Sequence, residues 1–150
     1  MELILWRHAE AEDGLPDMAR ALTPKGHKQA KQMANWLRTR LPADVSVLVS
    51  PATRAQQTAA ALLPDFTTRQ ELAPGAAPQA LLKAAEWPDS QRSVLIVGHQ
   101  PTLGELASLL LSDQDACFSI KKGAVWWLST RARGGTASCQ LRAVIAPELI

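Results

Sequence analysis

Cysteine and histidine are both scarce in this chain of 150 residues. The two cysteines, Cys117 and Cys139, lie far apart and show no metal-ligand spacing, so they are expected to be reduced, buried and structural. The three histidines, His8, His27 and His99, have no i,i+4 or C-x-x-C partner that would build a zinc site. No metal and no cofactor is expected. No apolar run approaches the ~20 residues that a membrane helix needs. The first residues lack the basic start and long apolar stretch of a signal peptide, which points to the cytoplasm and away from a membrane. Charge is also modest: a net +2, with basic residues scattered rather than blocked, gives no reason to expect nucleic acid. There is no Gly-rich Walker loop, no G-x-S-x-G elbow, and no cysteine with the His and Asn partners of a thiol hydrolase. Repeats and low-complexity linkers are missing too. The length suits a single core, so one domain over 1–150 is expected, as a monomer.

What the chain does have is three short apolar runs, each ending at a polar group. Leu3-Ile4-Leu5-Trp6 ends in Arg7-His8, Val45-Ser46-Val47-Leu48-Val49 in Ser50-Pro51, and Val94-Leu95-Ile96-Val97 in Gly98-His99. Continuous β-branched and apolar runs of this length are what strands buried on both faces of a parallel sheet require. Open α/β sheets place their ligand sites outside the C-terminal strand ends. If the three strands are parallel neighbours, Arg7, His8, Arg54 and His99 converge on one rim.

Helices separate the strands. Thr23 before Pro24 is an N-cap followed by proline at the first helical position, and Ala30, Met33, Ala34, Leu37 and Leu41 follow on one stripe, with His27 on the solvated face. Ser50-Pro51 repeats that arrangement and predicts a helix over 51–63. Arg54 then falls in the first turn, where a cation is unfavourable unless an anion sits in front of the helix. The alternative is an Arg paired with Asp or Glu across a loop. Residues 64–78 read as loop, 80–86 as a short helix, and 101–111 as an amphipathic helix with Leu103, Leu106, Ala107 and Leu110 facing in. Phe118-Ser119-Ile120 and Ala124 to Leu128 read as strand, and Ala137 to Ile145 as a last strand. Arg133-Gly134-Gly135-Thr136 reads as a hairpin-like turn. Trp126 and Trp127 must point to opposite faces of their strand. The predicted fold class is therefore α/β: three layers, α/β/α, with a mostly parallel central sheet and an antiparallel edge.

The rim groups define the chemistry. Arginine presents a planar fork that matches phosphate oxygens two at a time. Neutralising those oxygens is the main task in phosphoryl transfer. Neutral imidazole is a good nucleophile and forms a phosphoramidate that water can cleave. Nearby arginines disfavour imidazolium and so keep it neutral. Arg7 and Arg54 are candidate phosphate clamps, and Arg20, near the end of the polar stretch 10–21, is a candidate fourth contact. On this chemistry either His8 or His99 could be the nucleophile. A phosphate-reading binding module that retains the arginines without turnover is the rival from another class.

These stretches, with Leu22-Thr23-Pro24-Lys25-Gly26 and Val49-Ser50-Pro51-Ala52-Thr53-Arg54-Ala55-Gln56-Gln57-Thr58, resemble the histidine phosphatase (phosphoglycerate-mutase-like) superfamily. Within it they are similar to the bacterial SixA-type phosphohistidine phosphatases. The resemblance spans residues 1 to 128 and implies a phosphoglycerate-mutase-like fold. It also implies His8 as nucleophile, and His99 as a hydrogen-bond donor beside Arg7 and Arg54. Many mutase-like relatives place an acidic proton donor two positions after a leucine, but here Leu72 is followed by Pro74; Glu71, Glu10 and Glu12 are the substitutes on offer. Expelling an alkoxide needs a delivered proton, whereas imidazole leaves more readily. The implied substrate is thus a phosphohistidine on a protein, such as a phosphotransfer domain or a phosphocarrier, with a small-molecule phosphomonoesterase or mutase as the alternative.

Overall fold

The computed structural model describes residues 1–133 and 136–150. The chain runs β1 (Glu2–Arg7), α1 (Pro24–Arg38), β2 (Ser46–Val49), α2 (Thr53–Ala60), β3 (Thr67–Thr68), α3 (Pro78–Ala84), β4 (Val94–Gly98), α4 (Thr102–Ser112), β5 (Val125–Arg133) and β6 (Thr136–Ile145). The strands form one sheet in the order β3-β2-β4-β1-β5-β6. The first four are mutually parallel, and β5 and β6 extend the β1 edge antiparallel. This is the mostly parallel sheet with an antiparallel edge that the apolar runs predict. Residues 134 and 135 of the expected hairpin-like turn lie outside the described residues.

Alternation along the strands sorts the core into two layers, because successive side chains leave opposite faces. Ile4 and Trp6 of β1 join Val47, Val49, Leu95 and Val97 under Met33, Ala34 and Leu37 of α1 and Ala55 and Ala59 of α2. Leu3 and Leu5 join Leu48 and Ile96 on the other face, against Leu81 of α3 and Leu103 and Leu106 of α4. Met33, Leu37, Leu103 and Leu106 are fully buried, and each such side chain stabilises the fold by about 1.5–3 kcal/mol. Trp127 packs on the α1 side and Trp126 on the α4 side, as an alternating strand demands.

Several local expectations are corrected. Helix α2 is shorter than predicted and begins at Thr53 with Ala52 as its N-cap. The Ser50 hydroxyl accepts the Ala52 N–H at 3.2 Å instead of capping a turn further on. By contrast, Thr23 caps α1 as expected, accepting from Gly26 N at 2.9 Å. Helix α3 spans 78–84 rather than 80–86, with Pro78 in its first turn, and the backbone turns left-handed at Glu86 (φ 55°). The stretch 64–78 contains the two-residue β3, which pairs with Leu48 and Val49. Phe118-Ser119-Ile120 is not a strand: the Phe118 N–H donates to Gly104 O at 3.1 Å, so the segment docks on α4 rather than on the sheet. Gly104 permits that approach, since a Cβ there would lie 1.9 Å from Phe118 O. Cys117 is exposed rather than buried; Cys139 is partly buried, and its burial pushes the thiol pKa up.

Register carries the strand ends to one level. Arg7 lies beside Gly98, and Val49 beside Val97. The next residues continue the pairing: His8 N donates to Gly98 O and Ser50 N to Val97 O, both at 3.1 Å. His8, Ser50 and His99 therefore follow three adjacent strands at the same rim.

Candidate active site

The two histidine rings face one another at that rim, with centroids 5.1 Å apart and planes inclined by 53°. Both are buried, His8 with 8% and His99 with 4% of its surface exposed. Nδ1 of His8 lies 2.8 Å from the carbonyl of Ala9. A carbonyl can only accept, so Nδ1 carries the proton and Nε2 keeps its lone pair. Burial pushes the His8 pKa down to about 4, opposed by the Ala9 bond and reinforced by the charges of Arg54, Arg7 and Arg20. His99 is pushed down to about 3, first by burial and then by His8 and Arg54. Both imidazoles are neutral at physiological pH, as the chemistry of a nucleophile requires.

The segment from Ser50 to Thr58 braces both rings. Ser50 Oγ sits 2.7 Å from His99 Nε2. Thr58, fully buried, accepts from Ala9 N at 3.0 Å and donates to Arg54 O at 2.7 Å. It thus holds the backbone of Ala9, the residue whose carbonyl orients His8. Neither role is visible in the local sequence, where Ser50 reads as a cap and Thr58 as an ordinary helical threonine.

Arg54 is 3% exposed in the first turn of α2, and the structure shows the second of the two readings offered for it. It is paired across a loop, with Nη1 donating to Asp17 O at 2.8 Å and Nη2 to Asp17 Oδ2 at 3.2 Å. Its Nε, however, is buried without a partner. Asp17 is a residue that sequence reasoning missed; the Arg54 guanidinium, then Arg20, holds its carboxyl below the usual range. Arg20 donates to Asp17 Oδ1 at 3.0 Å and to Glu12 O at 3.1 Å, so one carboxylate links Arg20 to Arg54. Arg7 donates from Nη1 to Ile120 O at 2.7 Å, and its Nε is likewise buried and unpartnered. Burial lowers its pKa.

Among the described residues, the buried side-chain nitrogens and oxygens without a partner are Arg7 Nε, Arg54 Nε and His99 Nδ1. All three belong to this rim. An unsatisfied buried polar group costs about 1–3 kcal/mol, and such groups call for an explanation. A tetrahedral oxyanion bound at the rim would supply acceptors for such nitrogens.

The substitute acids each have another contact. Glu71 is ion-paired with Arg69, which holds its carboxyl below the usual range. Glu10 lies 4.0 Å from Lys25, and the exposed Glu12 contributes its backbone carbonyl to Arg20. His27 is exposed on α1, as expected. No group of three or more His, Cys, Asp or Glu among the described residues could hold a metal ion.

Residues 3–76 match the model of the histidine phosphatase superfamily (branch 1). The phosphohistidine phosphatase SixA of Escherichia coli (strain K12) is 32% identical over 124 residues, covering 73% of this chain and 74% of that protein. The chain belongs to the histidine phosphatase superfamily. An uncharacterized protein of Mycobacterium tuberculosis (strain H37Rv) is 41% identical to this histidine phosphatase over 110 residues, 71% of this chain and 70% of the relative. A solved structure of the protein histidine phosphatase SixA complexed with tungstate superposes with a TM-score of 0.79 at 26% identity, covering 99% of each chain. The phosphoglycerate-mutase-like three-layer fold is thereby shown for this histidine phosphatase, and the SixA-type resemblance holds.

Proposed function

We propose that this histidine phosphatase removes the phosphoryl group from a phosphohistidine carried on a signalling protein, a phosphotransfer domain or a phosphocarrier. The observation that carries the reading is the trio of unpartnered buried nitrogens around His8. Phosphoryl oxygens are acceptors only, and three donors at fixed positions suit the three equatorial oxygens of the transferring group.

In this reading His8 Nε2 attacks phosphorus in line. The bond from phosphorus to the substrate's imidazole nitrogen breaks as the new bond to Nε2 forms, and the leaving imidazole takes up a proton from solvent. Water then cleaves the phosphoryl–His8 bond, releasing inorganic phosphate and restoring the neutral ring. Arg7 and Arg54 clamp the oxygens through the whole sequence, and His99 donates the third bond. Arg20, tied to Arg54 through Asp17, strengthens the positive field at the rim.

The substrate class follows from the proton. Pro74 occupies the position where mutase-like relatives carry their acid, and Glu71 is bound to Arg69 with a lowered pKa. A group that holds its proton weakly at neutral pH is a poor general acid. That favours a nitrogen–phosphorus bond over an alkyl ester. The similarity to SixA points the same way. The small-molecule reading also has support: a phosphoserine phosphatase from Entamoeba histolytica shares the fold at 16% identity. The deciding experiment compares turnover of a phosphohistidine protein with a panel of small phosphate esters. Phosphohistidine protein should turn over fastest, activated aryl phosphates slowly and phosphoglycerate barely. Faster hydrolysis of alkyl esters would transfer the assignment to the small-molecule class, and binding without turnover would make it a phosphate-reading module.

A further inference from the structure

His99 has one proton to place on two ring nitrogens, and its neighbours decide where. Nε2 lies 2.7 Å from Ser50 Oγ, and Nδ1 is buried without a partner. Ser50 is itself held rigidly. Its N–H donates to Val97 O at 3.1 Å, its carbonyl accepts from Gln56 Nε2 at 2.7 Å, and its hydroxyl oxygen accepts from Ala52 N at 3.2 Å.

Two arrangements of hydrogen are open. If Nε2–H donates to Ser50, the serine's own proton is left without an acceptor among the contacts made by its oxygen. Nδ1 then presents a bare lone pair to any phosphoryl oxygen, and two acceptors repel. If Ser50 O–H donates to Nε2, the hydroxyl is fully used: one bond accepted, one donated. The imidazole proton then sits on Nδ1, the atom that has no partner, beside two other unpartnered donors. Only the second arrangement leaves no buried hydroxyl proton stranded and gives the site three donors rather than two.

We infer that Ser50 is a positioning residue: it fixes His99 in the Nδ1–H tautomer and so makes Nδ1 the third donor to the phosphoryl group. The inference rests on a phosphoryl group occupying this rim, and not on which molecule delivers it. Ser50 touches no reacting atom in this account. It acts on the transition state through His99, as the orienting member of a hydrogen-bonded pair does.

The test is a two-bond proton–nitrogen correlation spectrum of the uniformly nitrogen-15-labelled, ligand-free protein at neutral pH, which reports the protonated nitrogen of each histidine. With three histidines the spectrum is sparse, and His99→Gln identifies the relevant signals. Wild-type His99 is expected to carry its proton on Nδ1. In Ser50→Ala that preference should be lost, and kcat for an activated aryl phosphate should fall by about 10- to 100-fold, short of the loss for deleting an oxyanion donor outright. Ser50→Thr, which keeps the hydroxyl, should restore both the tautomer and most of kcat. Wild-type His99 protonated at Nε2 overturns the inference, and that result does not depend on any variant folding. So does a Ser50→Ala protein that loses activity with the Nδ1–H tautomer intact, or one that changes tautomer at full kcat. Failure of the phosphohistidine substrate reading would show in the substrate panel and leave this spectrum untouched.

Discussion

Protonation of His8 offers the sharpest check on the site, because the structure assigns it a value far from the ordinary one. Burial lowers its pKa from 6.5 to about 4. At pH 5 a histidine of pKa 6.5 is about 3% neutral, whereas one of pKa 4 is about 90% neutral, a difference of about 30-fold in available nucleophile. The rate alone does not isolate this effect, since a phosphate monoester has its own ionisation near pH ~6. The titration should therefore be read directly, from the His8 ring resonances of the free protein between pH 3 and 8, in stabilising salt. A midpoint near 4 is expected. A midpoint at 6 or above would refute the argument that burial and the flanking arginines hold His8 neutral. Stability supplies the companion measurement. The unfolded chain binds the proton below pH ~6.5 and the folded chain only near 4, so between these values the unfolded state holds more protons and stability rises with pH. The stabilisation is present in full above ~6.5 and is lost as pH falls to about 4. For His8 it amounts to about 3 kcal/mol, at 1.36 kcal/mol per pKa unit. His99, lowered to about 3, acts in the same direction. The rings are too close for the two contributions to add independently. Denaturant midpoints that stay flat from pH 7 to 4.5 would count against both assignments.

Four further outcomes are expected. His8→Ala should abolish turnover, and rapid quench of the wild type should trap a phosphoryl adduct that is acid-labile and base-stable, as a phosphoramidate is; an acid-stable adduct would reject His8 as nucleophile. Arg54→Ala should cost about 3 kcal/mol in kcat/KM, the loss typical of one strong oxyanion donor. Vanadate or tungstate should inhibit the wild type competitively, and a chelator should leave its rate unchanged. Gly104→Ala should destabilise the fold by about 1–3 kcal/mol through overpacking, because its Cβ would sit 1.9 Å from Phe118 O; an unchanged melting temperature would show that the 118–120 segment is not held against α4.

The position of Arg54 sets helix stability against the anion-binding role proposed for it. A guanidinium in the first turn of a helix, 3% exposed, opposes the helix dipole. Asp17 offsets the mismatch through Nη1 and Nη2 while leaving Nε free. A purely structural ion pair would have no reason to leave a buried donor unused. The same economy recurs at Arg7, where Ile120 takes one nitrogen and Nε remains open.

The sequence by itself determined the strands β1, β2 and β4, the helix that opens at Thr23-Pro24, and the placing of Arg7, His8 and His99 at strand ends with Arg54 just beyond another. These are local matters. A four- to five-residue apolar run with a breaker after it declares a buried strand, and parallel pairing then brings the strand ends together whatever the loops between them do. What the tertiary structure alone decided are the contacts that tune those residues. Asp17 reaches Arg54 across 37 residues, Ser50 reaches His99 across 49, and Thr58 holds Ala9 across 49. Nothing in the neighbourhood of a serine or an aspartate in the sequence says which distant nitrogen it will meet. The Phe118 segment makes the same point in reverse. Its residues suit a strand, but the side chain missing from Gly104 lets α4 take the backbone hydrogen bond that a neighbouring strand would have made. Secondary structure follows short-range pattern, whereas the protonation and orientation of a buried site follow from partners that only the folded chain brings within reach.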